Sequence, residues 1–381
     1  MAPITSIAAT FALLATLANA QVNLDPKGPS LRFNWTLAVN DVPVELTPSP
    51  VNNGWIQTTN GPFPHQQAAP KNNNYGVNFN FWGEGFEVLG SSPDYWNATD
   101  PVGKTKLYSN SDTTVTGGQD INAPTSPTVI TSHVSPRFQK SDYTLSLGEG
   151  TWGLDGVVVR TGMQSDAHDL ASARTLVQEF VVNGTVNPFF NTSGRWEVDQ
   201  EANGLPLRAT CFEGAKFSFP IPNGASYVVL NGTRDIQSVD AQIHIRDAVD
   251  GITRDYIDTL RMRYQNSTTA LLYMAPLDPT KSLFFDWDCV TGNTQGTNSL
   301  TSITFYAAIT NATWDDKVTT APGASGSASG SAGSHGSAAS ASGSAKPTSS
   351  SKPSAAGSSM PANAGLAAAL VGGVAAAVAL L

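Results

Sequence analysis

Apolar and polar positions alternate with period two along the middle of the chain, in short runs bounded by Gly, Pro, Asn and Asp. Val77, Phe79 and Phe81 are separated by Asn78 and Asn80. Phe217 and Phe219 alternate with Lys216 and Ser218, Ile243 and Ile245 flank His244, and Val157 and Val159 flank Val158. Residues i and i+2 share one face of a strand, so these runs predict short strands with a buried side. One stretch reads as helix, about Ser165 to Arg174 (SDAHDLASAR). The predicted class is all-β: two tandem β-sandwich, jelly-roll-like domains over 21–164 and 176–312, joined by a linker at 165–175.

Those two stretches share a pattern. Gly76 to Phe81, a Gly-containing turn and Phe86 to Gly90 form one apolar hairpin; Gly214 to Phe219, a Pro/Asn/Gly turn and Tyr227 to Gly232 form its echo. Further on, Tyr143 to Leu147 leads through a loop to Leu154-Asp155-Gly156-Val157-Val158-Val159, and Phe285-Asp286-Trp287 leads to Leu300-Thr301-Ser302-Ile303-Thr304-Phe305. Two motifs in the same order at similar separation predict a duplicated unit. The hairpin with its trailing Gly and the late Leu-led strand resemble the tandem galactose-binding-like jelly-roll ectodomains of fungal surface proteins. The resemblance covers about Gln21 to Ala312, implies membrane attachment beyond a Ser-rich stalk, and brings no shared catalytic set.

The two ends read as sorting signals. Met1 to Ala20 is uncharged, with an apolar run from Ile7 to Leu17 and a small-x-small finish at Ala18-Asn19-Ala20. This predicts a signal peptide, residues 1–20, cleaved before Gln21. Residues 313–354 are dominated by Ser, Gly, Ala, Thr and Pro and cannot bury a core, so a disordered stalk is expected there. Gly365 to Leu381 is apolar without a basic flank, preceded by a polar spacer and by the small residues Ser354-Ala355-Ala356. That order predicts a GPI-attachment propeptide at 355–381, with Ser354 the attachment residue and Gly357 and Asn363 the alternatives.

Composition fits a surface protein. A net charge of −9 argues against nucleic acid as a partner, and charged residues are only 13% of the chain, so surface polarity falls to Asn, Ser, Thr and glycans. Seven sequons, at Asn34, Asn97, Asn183, Asn191, Asn231, Asn266 and Asn311, predict exposed N-glycosylation sites. The only cysteines are Cys211 and Cys289. In an oxidising compartment they are expected to pair, closing a loop that contributes about 4 kcal/mol.

Catalytic signatures are sparse. The five histidines lack ligand spacing, so neither a metal nor any other cofactor is expected, and no nucleophile elbow, P-loop or dinucleotide fingerprint occurs. Asp286 and Asp288 are the best acidic pair, sharing one strand face opposite the core-like Phe285, Trp287 and Cys289. Flat rings stack on pyranose faces while nearby carboxylates accept hydroxyls. Trp82 with Glu84 at the first hairpin turn, Tyr95 and Trp96 in a polar loop, and Trp152 before Asp155 are therefore candidate sugar contacts. The expected protein is a non-catalytic cell-surface glycoprotein, lipid-anchored to the plasma membrane or transferred to the wall, that binds or organises wall polysaccharide or glycoprotein glycans. The alternatives are a glycan-processing hydrolase using the acidic pair and a purely structural wall glycoprotein.

Overall fold

A computed structural model describes residues 28–47, 55–58, 65–68, 75–91, 105–115, 117–121, 128–148, 150–199, 205–234, 238, 241–251, 253–257, 268–289 and 296–310. The signal, stalk and anchor segments, with Ser354, Gly357 and Asn363, lie outside them, as do Tyr95, Trp96, Asn97, Asn266 and Asn311.

The described chain is all-β. Its first half contributes β1 (Leu31–Ala38), β2 (Val44–Thr47), β3 (Ile56–Thr58), β4 (His65–Ala68), β5 (Gly76–Ser91), β6 (Lys106–Ser109), β7 (Gln119–Asp120), β8 (Val129–Ser146) and β9 (Trp152–Met163). The second half contributes β10 (Thr175–Glu179), β11 (Val181–Val182), β12 (Thr185–Val186), β13 (Asn191–Ser193), β14 (Trp196–Asp199), β15 (Arg208–Cys211), β16 (Lys216–Pro220), β17 (Ala225–Arg234), β18 (Gln242–Asp247), β19 (Thr253–Ile257), β20 (Thr268–Pro276), β21 (Leu283–Asp288) and β22 (Asn298–Ala307).

In the first half one nine-stranded antiparallel sheet folds over on itself. The expected hairpin at Gly76–Gly90 is instead the single long strand β5, which bends rather than turns. Gly83 marks the bend: a Cβ there would lie 2.2 Å from the Arg160 carbonyl, so only glycine lets the strand pass. Opposite it, β8 bulges through Ser135–Phe138, where Pro136 could not have donated to the ladder. Before the bend β5 pairs with β2 and the end of β8; after it, with β9 and the start of β8. Two layers result. Val44, Leu46, Val77, Phe79, Tyr143 and Leu145 of the front layer enclose a core with Leu37, Phe86, Val88, Leu154, Val157 and Val159 of the back layer.

In the second half the corresponding crossing is made by a loop. Strand β16 belongs to the five-stranded sheet, in the order β13-β16-β21-β18-β19, and β17 to the six-stranded sheet containing β14, β15, β22, β20 and β10. The predicted second hairpin is therefore an arch between layers at Ile221–Gly224. The Cys211–Cys289 disulfide joins the six-stranded sheet to the residue after β21, across a sequence separation of 78.

The duplication is visible residue by residue. Phe79 pairs with Tyr143 and Phe81 with Ser141; Phe217 pairs with Trp287 and Phe219 with Phe285. Val88 faces Val157 and Gly90 faces Leu154, with a register shift just before Gly90. Leu230 faces Ile303 and Gly232 faces Leu300, with a register shift just before Gly232. Both trailing glycines serve one purpose. A Cβ on Gly90 would lie 2.0 Å from the Gly153 carbonyl, and one on Gly232 2.2 Å from that of Ser299.

The predicted helix at Ser165–Arg174 is absent; the segment is a series of turns. Its short polar side chains capture backbone groups that a helix would use. Asp169 Oδ1 accepts the Ser172 N–H at 2.8 Å, and Ser165 Oγ accepts the Ala167 N–H at 3.1 Å. Asp166 is held away by Thr310, whose N–H and hydroxyl both donate to it at 2.7 Å.

The two halves belong to one compact unit, Met1–Gly323. Strand β17 is buried on both faces: Val228 and Leu230 serve the second core, whereas Tyr227 and Val229 join the first, together with Leu271 and Met274 of β20. In return Trp82, Val42 and Phe138 of the first half pack on the second core. The turn Asn40–Val42 clasps β20 directly. The Val42 N–H donates to the Leu271 carbonyl at 2.8 Å, and the Leu271 N–H donates to Asp41 Oδ1 at 2.7 Å. Arg234 Nη1 donates to the Asn40 carbonyl at 2.6 Å. Burial pushes the Asp41 carboxyl up to about 6, against the pull of the Leu271 and Ala38 N–H groups and the Arg234 guanidinium.

Candidate functional site

Of the predicted sugar contacts, those among the described residues, Trp82, Glu84, Trp152 and Asp155, do not form a platform. Trp82 is 6% exposed and its ring enters the second core, because β5 continues through the place where a turn was expected. Trp152 is 1% exposed, opens β9, and its indole donates to the Gly148 carbonyl at 2.9 Å. Glu84 is ion-paired with Arg32 at 3.1 Å, and Asp155 lies within β9, half-buried. The acidic pair does alternate with a core face: Phe285, Trp287 and Cys289 are buried behind it. Yet Asp286 is paired with Arg246 at 3.0 Å and Asp288 with Lys216 at 2.9 Å, so each carboxylate is committed to a cation on its own sheet. Two glycosidase carboxyls must instead flank a substrate.

The structure assembles a different surface, on the outside of the front layer. The alternation that buries Leu46, Val77, Phe79, Tyr143, Leu145 and Leu107 turns their neighbours outward. Four outward residues line up in one row across four strands. Tyr108 of β6 faces Thr144 of β8, Thr144 faces Asn78 of β5, and Asn78 faces Glu45 of β2. At a strand spacing of about 4.8 Å the row is roughly 14 Å long. A second row, Lys106, Ser146, Gly76 and Thr47, runs beside it, and Asp142 with Asn80 flanks the other side. The next outward residue of β5 is Trp82, so the face ends where the second half begins.

Tyr108 is the aromatic member, 40% exposed. A Cβ on Gly118 would lie 2.5 Å from its Cε1, so the glycine backbone rests against the ring and fixes it. The loop that follows is fixed as well. Ser109 Oγ donates to the Asp142 carbonyl at 2.7 Å, Asn110 donates to the Asp142 carboxylate at 3.3 Å, and the Asp142 N–H donates to Ser111 Oγ at 2.9 Å.

Beneath the loop, Asp112 is a buried hub. Its carboxylate accepts the Thr114 N–H at 2.9 Å, the Thr114 hydroxyl at 2.7 Å, the Tyr143 hydroxyl at 2.7 Å and His133 Nε2 at 2.9 Å. Burial alone would raise its pKa, but these donors together hold it well below the ordinary carboxylate range. Burial, followed by the bond to Asp112, pushes the Tyr143 hydroxyl up. A carboxylate saturated by four donors has no proton to give and no lone pair directed at a ligand. Its role is to hold the loop under Tyr108. Among the described residues no group of three or more His, Cys, Asp or Glu is placed to hold a metal ion.

The sequons divide by position. Asn34, Asn183 and Asn191 are exposed, whereas Asn231 is half-buried in β17 between two neighbouring strands. Asn34 pairs with Arg160 on the outside of the back layer, opposite the Tyr108 face, and none of the sequons among the described residues lies on that face.

Sequence reasoning missed Tyr108 because Lys106-Leu107-Tyr108-Ser109 is a short alternation without flanking glycine or tryptophan. The available signal was Leu107 as the inward residue, which forces Tyr108 out.

Neither a protein-family model nor a curated protein matches the chain. Among solved structures the chain is similar to a Paenibacillus xanthan lyase at 12% identity and TM-score 0.26, over 74% of this chain and 27% of that one. It is similar to the isomalto-dextranase of Arthrobacter globiformis T6 complexed with panose at 9% identity and TM-score 0.25, over 63% and 36% of the two chains. It is also similar to the ANX2 ectodomain of Arabidopsis thaliana at 10% identity and TM-score 0.24, over 75% and 92%. The chain thus spans little more than a third, or less, of the lyase and the dextranase.

Proposed function

We propose that this chain is a secreted, N-glycosylated, GPI-linked surface protein that binds cell-wall glycans without transforming them, using the front-layer face around Tyr108. The observation that carries this reading is the in-register row Tyr108–Thr144–Asn78–Glu45: one fixed aromatic ring, then a hydroxyl, an amide and a carboxylate at strand spacing. A pyranose offers an apolar face for the ring and hydroxyls that both donate and accept. The row supplies partners of each kind on a scaffold that needs no reordering on binding. The ion pairing of Asp286 and Asp288 supports binding over hydrolysis.

The test is retention of the full chain, expressed through the secretory pathway, on insoluble wall polysaccharide. Tyr108→Ala should weaken retention about tenfold, the scale of one aromatic contact, because the ring is a surface group. Its melting temperature should stay within a few degrees of wild type. Asn78→Ala should weaken retention by a similar factor. Unchanged retention in both variants rules the face out.

A further inference from the structure

We infer that Gly118 lays the Tyr108 ring down along the sheet, and that the face so formed takes an extended β-1,4-linked pyranose chain across the strands; this rests on the glycan-binding reading above. The geometry of one contact carries the inference. Gly118 immediately precedes β7, one position beyond the Leu107–Gln119 pair, so it neighbours Tyr108 across the strands. The place a Cβ would take on Gly118 is 2.5 Å from Tyr108 Cε1, 2.9 Å from Cζ and 3.1 Å from the hydroxyl oxygen. A tyrosine standing perpendicular to a sheet carries its hydroxyl well above the level of a neighbour's Cβ. Here the tip of the side chain is at that level, so the ring leans over the glycine backbone towards β7. Any side chain at 118 would force it to lift. The φ of +83° at Gly118 also lies in the region that favours glycine.

A reclined ring turns one face outward, in keeping with the 40% exposure of Tyr108. It therefore begins the row as a platform. Thr144, Asn78 and Glu45 follow on successive strands, a hydroxyl, an amide and a carboxylate at a spacing of about 4.8 Å. A β-1,4-linked chain with equatorial linkages is an extended ribbon that advances by close to one strand spacing per sugar. A sugar stacked on Tyr108 thus places its successors over Thr144, Asn78 and Glu45. The row turns with the sheet by about 20–25° per strand, and a ribbon follows by small rotations at its linkages. A β-1,3-linked or α-linked chain coils instead, and its later sugars leave the plane of the row.

The experiment measures retention of the full secreted chain on cellulose and chitin, both β-1,4-linked, and on an insoluble β-1,3-glucan. At least one β-1,4-linked polymer should retain the protein about tenfold better than the β-1,3-glucan. Gly118→Ala should cut that retention about tenfold, as far as Tyr108→Ala does, and should change nothing further in a Tyr108→Ala chain. Gly117→Ala is the control. Its φ of +64° carries similar backbone strain, but a Cβ there meets nothing within 4 Å. It should lower the melting temperature by the same few degrees as Gly118→Ala and leave retention unchanged. Equal or stronger retention on the β-1,3-glucan, lost in Tyr108→Ala, overturns the ribbon while leaving the binding face in place. Retention lost in Tyr108→Ala but kept in Gly118→Ala overturns the role of Gly118. Retention on a β-1,4-linked polymer that survives Tyr108→Ala overturns the binding face itself. Retention on none of the three, with whole wall polysaccharide still bound, overturns the ribbon alone.

Discussion

Trp82 is the residue at which the molecule's unity is best tested. It belongs to β5, in the first half of the chain, yet it is 6% exposed and clustered with the core of the second half. Replacing it with alanine removes a bicyclic ring from that core, and truncations of this kind cost about 3–5 kcal/mol. For a body of this size, with about 2–4 °C lost per kcal/mol, the melting temperature should fall by about 6–20 °C. The ring's indole N–H is buried with no hydrogen-bond partner among the described residues. Trp82→Phe keeps most of the apolar contact and removes that unpaired donor, whose burial costs about 1–3 kcal/mol. The phenylalanine variant should therefore stay within about 1 kcal/mol of wild type, since the two effects oppose. Because the ring stitches one half into the other, calorimetry of Trp82→Ala should show a single transition, shifted as a whole. Two resolved transitions with only one displaced, or a cost below about 1 kcal/mol, would refute the shared core.

Asp41 sets a pH dependence of known sign. Its folded pKa of about 6 exceeds the ordinary 3.8, so its contribution to stability is fully present below pH 3.8 and lost as pH rises through 6. Between pH 4 and 7 wild type should lose up to about 3 kcal/mol relative to Asp41→Asn, read from urea midpoints; parallel profiles would disprove it. Replacing both Cys211 and Cys289 with alanine should lower stability by about 4 kcal/mol, read from the same midpoints, for the loop closed over 78 residues. Glycopeptide mapping should find Asn34, Asn183 and Asn191 occupied and Asn231 bare, because Asn231 is half-buried within a sheet; glycan on Asn231 of folded protein would contradict the packing of β17.

Period-two alternation was legible wherever a strand buries one face, which is why Phe79, Phe217 and Ile243 were readable as inward residues. It was illegible as topology. A bent continuous strand and a hairpin present the same run, glycines, run, and only the long-range approach of the Arg160 carbonyl to Gly83 decides between them. The short polar residues of Ser165–Arg174 have helical spacing but spend their side chains on their own backbone, a local competition that periodicity does not register. Two candidate sugar contacts, Trp82 and Trp152, proved buried for a common reason. Size and polarity of neighbours suggested exposure for Trp82 and Trp152, but exposure depends on what packs against the face, and for Trp82 that is the other half of the chain. Tyr108 was the reverse case, an unremarked residue made prominent by strands distant in sequence.

The duplication explains why one half keeps an open polar face, the one proposed for a ligand, and the other does not. Superposing the strand pairs, Phe79 with Tyr143 on Phe217 with Trp287, places Asn78 at Lys216, Asn80 at Ser218, Asp142 at Asp286 and Thr144 at Asp288. The acidic pair first singled out for hydrolysis is thus the second copy's counterpart of the first copy's polar row. In the first copy those positions present two amides, a hydroxyl and one carboxylate. In the second they close on themselves, Lys216 on Asp288 and Arg246 on Asp286, leaving charges that satisfy one another. The other layer of the second copy cannot compensate, because Tyr227, Val229, Leu271 and Met274 are committed to the first core. A repeat that gives one outer face to its twin and neutralises the other with ion pairs is suited to hold its partner rigid. The first repeat, braced through Trp82 and Asp41, keeps the face proposed to take a glycan.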